Sequence, residues 1–217
     1  MPKRQQGPTG ASDAEVRRLL DRYGCPTPFH AVRTRFLGNI ASPELAASPL
    51  DQVRALWGGE LPEFDDLEAA NELIGALVVG LWNRLTAHQD RKHPFRLTRM
   101  EVPQTRAGLE HIARVRGEEI DGFVQGLFGS AEGIDLPEKA HRALNVLAEM
   151  RAMLQGVRNL ATDETKPASA ADIIGTLRNL RELTRIAEQE MHIAVLSCAR
   201  ARRSMTEGTR TLRPTLH

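Results

Sequence analysis

The sequence predicts an all-α protein: an irregular or orthogonal bundle of about seven helices that ends in one long C-terminal helix. Apolar residues recur at intervals of three and four along most of the chain, and no stretch keeps the period of two that a half-buried strand requires. Aromatic residues make up only 4% of the chain against 41% hydrophobic residues overall, so the core must be built from Leu, Ile, Val, Ala and Met. That composition suits helices and argues against a sandwich or barrel, whose strands favour aromatic and β-branched side chains. At 217 residues the chain has room for a sizeable core. A single helical domain over residues 12–204 is expected, between a disordered N-terminus at 1–11 and a loose tail at 205–217.

Each element has its own start and stop signals. Ser12-Asp-Ala-Glu15 is a capping box that opens a short helix to about Tyr23, and Gly24-Cys-Pro-Thr-Pro28 stops it. Val32, Phe36, Leu37 and Ile40 lie at helical spacing within a second helix from Phe29. Ser48-Pro49 supplies an N-cap and a first-turn proline for a third, which ends at Trp57-Gly58-Gly59. Asp65-Asp-Leu-Glu68 opens a helix to about His88, with Leu67, Ala70, Leu73, Ile74, Leu77, Val78, Leu81 and Leu85 as its stripe. Gly75, Ala76 and Gly80 put small residues on its other faces, so this helix is expected to be the buried spine, closely approached by a neighbour. Residues 88–103 read as a polar, basic connector over the surface. A helix from Pro103 to about Phe128, kinked or interrupted near Gly117, buries Ile112, Val115, Ile120, Phe123, Val124 and Leu127. After a loop at 129–135, Pro137 starts a helix to about Leu160 with the stripe Leu144, Leu147, Met150, Leu154 and Val157. Ser169 caps the last helix, which runs to about Arg203 on Ile173, Leu177, Leu180, Leu183 or Thr184, Ala187, Met191 and Leu196. Its length exceeds what a small domain covers, so part of it is expected to project or to pair with a second subunit.

Trp57-Gly58-Gly59-Glu60, followed by Pro62-Glu63-Phe64 and an acid-capped helix ending near Trp82-Asn83, resembles the YecA/YgfB-like family of bacterial proteins. Gly122-Phe-Val-Gln-Gly126 is similar to that family's second glycine-flanked helical segment. The resemblance covers about half of the chain. It implies an all-helical fold and no particular activity, because none is established at family level. Some members carry a C-terminal Cys/His zinc motif. Here the C-terminus offers only Cys198 and His217, without paired-cysteine spacing, so no zinc module carries over.

The motifs of common chemistries are missing. No serine lies in G-x-S-x-G, and Ser12, Ser42, Ser48, Ser130 and Ser169 occupy cap and turn positions. Cys25 and Cys198 read as two isolated thiols of a reducing compartment. The N-terminus has no apolar core of a signal peptide, and no run is long enough to cross a membrane, so a cytoplasmic location is expected. Glu138-Lys-Ala-His141 has the i, i+3 spacing of a helical metal ligand pair, but such a site needs a second pair and further carboxylates, and a solvated first turn accounts for it as well. No cofactor is indicated.

Charge is the main functional hint. The net charge is +1, which argues against a wholly basic nucleic-acid binder. Yet residues 44–72 hold eight acids and one Arg, residues 84–116 hold eight basic residues and three acids, and residues 199–217 hold five Arg and one Glu. Two functions fit. The first is a non-enzymatic protein working through protein–protein contact, as a homo-oligomer or with another partner, with Trp57 and Trp82 as anchors or structural wedges and Gly58 and Gly59 letting the chain turn. The second is a nucleic-acid-associated regulator using Arg91, Lys92, Arg96, Arg99 and the cluster Arg200, Arg202 and Arg203. Because aromatic residues are sparse near these cations, such binding would be sequence-poor and salt-sensitive. A metal-dependent helical enzyme built on Glu138 and His141 is the third reading.

Overall fold

The computed structural model of the protein describes residues 10–43, 48–129 and 134–211, with side chains as far as Met205. Among the described residues there are seven helices and no strand. They are α1 (Asp13–Arg22), α2 (Phe29–Ala41), α3 (Pro49–Ala55), the composite α4, α5 (Arg106–Phe128), α6 (Glu138–Thr162) and α7 (Ala170–Thr211). α4 runs without a break through Leu67–Ile74, Gly75–Trp82 and Asn83–Leu85, and a 3-10 turn, Thr86–Gln89, follows it. The all-α bundle with a long last helix is as the sequence predicts. The N-terminal segment expected to be disordered lies outside the described residues up to position 9, as do Ser130 and residues 212–217. α7 continues past Arg203 as far as Thr211.

Local side-chain caps set most of the helix starts. Ser12 Oγ accepts the Glu15 N–H (3.2 Å), Ser48 Oγ that of Asp51 (3.4 Å) and Asp66 that of Ala69 (2.8 Å). Before α7 the bonding is reciprocal: Ser169 Oγ accepts the Asp172 N–H (3.2 Å), and Asp172 accepts the Ser169 N–H (3.0 Å). Each satisfies an N–H that the helix start leaves without an intrahelical partner. α5 begins at Thr105, whose Oγ1 accepts the Gly108 N–H (3.2 Å), and not at Pro103; it is continuous through Gly117.

The expected spine is displaced. α4 carries Leu67 and Val79 at 77% and 56% exposure, so it covers the core from one side. The middle of the molecule is the seam between α2 and α5. There a methyl group at Gly38 would run into the Phe123 carbonyl, one at Gly126 into the Arg35 carbonyl, and one at Gly122 would stand 2.7 Å from the Ala31 carbonyl. Only glycine allows backbones to come this close. The stripe of α4 shifts for a related reason. Its centre, Gly75–Trp82, is π-helical, with wider turns than the α-helix. Ala69, Leu73, Leu77, Leu81 and Leu85, spaced by four throughout, therefore stay on one buried face, and Leu67 falls outside it. A methyl group on Gly75 would meet nothing, whereas one on Gly80 would meet the chain at Ala11.

α7 is 42 residues long, about 63 Å at the α-helical rise, and its own chain covers its stripe. Leu177, Leu180, Ala187, Met191, Ala194, Val195 and Cys198 are all buried. α7 passes the end of α6 near Ile173, meets α5 where Arg116 bonds Thr184 (3.0 Å), and reaches the end of α2 through Arg202. Successive elements of the same chain cover these residues.

Candidate functional site

Arg91 and the cluster Arg200, Arg202 and Arg203, more than a hundred residues apart in sequence, line one groove of about 680 Å³. Thr86, Ala87, Gln89, Asp90, Leu196 and Ala199 complete its walls. Two rigid pieces bring the cations together. The first is the turn after α4. Asp90 accepts the Lys92 N–H (3.0 Å), the His93 N–H returns to the Asp90 carbonyl (3.0 Å), and His88 Nδ1 lies 2.8 Å from the His93 carbonyl. Its apolar anchor is Phe95, fully buried edge-on to the His88 ring, with the Arg33 guanidinium on Phe95 at 5.0 Å. The second piece is the end of α7. Arg202 donates to the Ile40 carbonyl (2.9 Å), the Ser42 carbonyl (3.2 Å) and Gln89 Oε1 (2.9 Å). It thereby ties α7 to the last carbonyls of α2 and to the turn. Arg202 is structural, and Arg91, Arg200 and Arg203 are the exposed cations of the groove.

Electrostatically the groove is one-sided. Among the described residues, Arg91, Arg200 and Arg203 make no ion pair with a carboxylate. The one acid in the lining, Asp90, is held by the Lys92 N–H, which keeps its carboxyl below the usual carboxylate range, and by His93 at 3.3 Å. Behind the turn, burial pushes the imidazoles of His88 and His192 below their ordinary value. The His192 ring nitrogens make no hydrogen bond of normal geometry within the described residues; the Arg91 backbone is near enough only to offset part of the effect of burial. Burial thus favours the neutral form of both rings.

The other sequence candidates are not part of the groove. Lys92 is exposed on the same turn. Arg96 is held by Glu188 (2.6 Å), and Arg99 is exposed beside a separate hollow along residues 97–101. Trp57 is half-buried and donates its indole N–H to the Tyr23 carbonyl (2.9 Å), with Gly58 and Gly59 at φ +82° and +114° directly after it. Trp82 donates to the buried Asn39 (3.0 Å). Glu138 is exposed and paired with Arg142 (2.8 Å), and His141 is exposed one turn along. Among the described residues no group of three or more His, Cys, Asp or Glu side chains is placed to hold a metal ion, and no helix is long and apolar enough to cross a membrane. Cys198 is buried and its thiol is pushed up to about 11 by that burial; burial also raises the half-buried Cys25.

Sequence reasoning misses how the connector is anchored. Its composition places it over the surface, but Phe95 and Leu97 are core residues. The backbone of Thr98 is gripped by a buried ion pair on α5: Glu119 accepts its N–H (2.8 Å) and Arg116 donates to its carbonyl (2.7 Å). Glu188 accepts the Leu97 N–H (3.0 Å). The signals that could have found this are the Phe-x-Leu alternation between two prolines and an Arg/Glu pair set among apolar positions of α5. Comparison of the chain with protein-family models, with curated proteins and with solved structures finds no match.

Proposed function

We propose that the protein is a nucleic-acid-associated helical protein that holds a phosphate backbone in the arginine groove. The observation that carries this reading is the convergence of Arg91 with Arg200 and Arg203 in one groove whose single acid is already engaged. Guanidinium groups match phosphate oxygens with paired N–H donors, and three of them on a fixed frame bind repeated phosphates better than an isolated anion. The lining has no aromatic side chain on which a base could stack, so the contact reads the backbone and not the sequence. The resemblance to YecA/YgfB-like proteins adds an expectation about fold and none about the partner.

Fluorescence anisotropy with labelled mixed-sequence oligonucleotides, single-stranded and duplex, tests the proposal. The wild-type protein should bind with little dependence on base composition. Three neutralised phosphates give a slope of log affinity against log salt between about −2 and −3. The variant Arg200→Glu with Arg203→Glu should lose at least about tenfold in affinity and flatten that slope. Absence of binding at about 50 mM salt, or binding indifferent to the double variant, would sink the reading.

A further inference from the structure

The arginines of α7 repeat. Arg178 and Arg181 form one Arg-x-x-Arg pair, and Arg200 and Arg203 form a second, each arginine 22 residues after its counterpart. All four are exposed. At 3.6 residues per turn that offset returns to within about 40° of the same face, and at 1.5 Å per residue it sets the pairs about 33 Å apart. Arg185, also exposed, falls on the same flank between them. The connector lies against this flank. Leu196 and Ala199 share the arginine groove with Arg91, Glu188 holds Arg96, and Thr184 and Glu188 line the hollow beside Arg99. Arg96 and Arg99 therefore stand alongside α7 between the two pairs. The acids of this flank are engaged, Glu182 by Arg185 (2.8 Å) and Glu188 by Arg96 and the Leu97 N–H. Arg99, Arg178 and Arg181 make no ion pair among the described residues, and Glu101, exposed beside Arg99, is left to oppose them.

We infer that the partner of the arginine groove is double-stranded DNA, laid along α7 so that the two Arg-x-x-Arg pairs grip its backbone one helical turn apart. This rests on the phosphate reading of the groove and extends it to a second contact. Along one side of a DNA duplex the same strand comes back after about 34–36 Å, which matches the separation of the pairs. A straight, rigid helix can meet a straight, rigid duplex at both places without bending either. The lining of the groove and of the hollow beside Arg99 holds no aromatic side chain, and Phe95 is fully buried beneath the connector. Proteins that hold single strands add aromatic rings on which successive bases stack. In a duplex the bases already stack on one another, so cations at the right spacing are enough. The two pairs together with Arg91 neutralise about five phosphates, against three for the groove alone.

Fluorescence anisotropy with labelled, mixed-sequence DNA hairpins of one common loop and stems of about 8 and about 16 base pairs tests the inference. At 3.4 Å per base pair the stems are about 27 and 54 Å long, so only the longer reaches both pairs. The long stem should bind at least about thirtyfold more tightly, with a slope of log affinity against log salt near −4 to −5. The short stem should show the shallower slope of the groove alone. Arg178→Glu with Arg181→Glu should remove the gain on the long stem and change binding of the short stem by less than about threefold. The unchanged short stem also reports an intact fold. Equal affinity for the two stems, a long stem indifferent to this variant, or a single strand of the long stem's length bound as tightly would each overturn the duplex arrangement. None of these touches the groove itself, which fails separately if Arg200→Glu with Arg203→Glu leaves the short stem bound as before.

Discussion

Gly126 in α5 and Gly75 in α4 sit in apolar helices of one bundle, yet they do opposite things. At Gly126 the missing side chain lets the carbonyl of Arg35 on α2 lie where a methyl group would be. At Gly75 nothing occupies that space, and the backbone is ordinarily helical at φ −60° and ψ −46°. The first glycine is a packing requirement; the second only costs helix propensity. A glycine in an apolar helix thus marks a close contact only when a second helix presents backbone to it, and that depends on the partner.

The comparison can be broken most severely at the seam. Gly126→Ala should destabilise the protein by at least about 3 kcal/mol, since backbone and not a flexible side chain must give way. Denaturant unfolding showing a loss below about 1 kcal/mol would mean that the helices separate easily. A moderate effect is expected on the buried face of α4. Leu77, fully buried, should cost about 2–5 kcal/mol when cut to Ala, whereas Leu67→Ala on the exposed side should stay within about 0.5 kcal/mol. Equal losses at the two positions would contradict the π-wound stripe. The smallest effect has the opposite sign: Gly75→Ala should stabilise by about 0.5–1 kcal/mol in the same assay. A loss there would show that the wide turns of α4 need glycine.

These contrasts separate what is local from what is not. Ser12, Ser48, Asp66 and Ser169 begin helices through bonds to residues three positions away, so those boundaries can be read in sequence. The stripes of α5, α6 and α7 can be read as well, because one helix period puts their apolar residues on one side. The stripe of α4 cannot, because π turns alter that period, and neither propensity nor spacing announces them. Phe95 and Leu97 escape detection because a single Phe-x-Leu alternation is too short to stand out in a basic, proline-bounded connector; the pair Arg116 and Glu119 that grips Thr98 lies on another helix.

The candidate site divides in the same way. By itself the sequence determined that arginines cluster near position 91 and again near position 200, and that aromatic residues are scarce around them. It determined the helical class, the single long last helix and most helix starts, because each follows from interactions within a few residues along the chain. Only the tertiary structure decided that the two arginine clusters share a groove, that Arg202 is spent on the carbonyls of Ile40 and Ser42, and that Arg96 is taken by Glu188. It also decided that the stripe of α7 is covered by its own chain. Those outcomes depend on which helices meet and at what depth, which is set by backbone approach at Gly38, Gly122 and Gly126 and by side chains far apart in the chain.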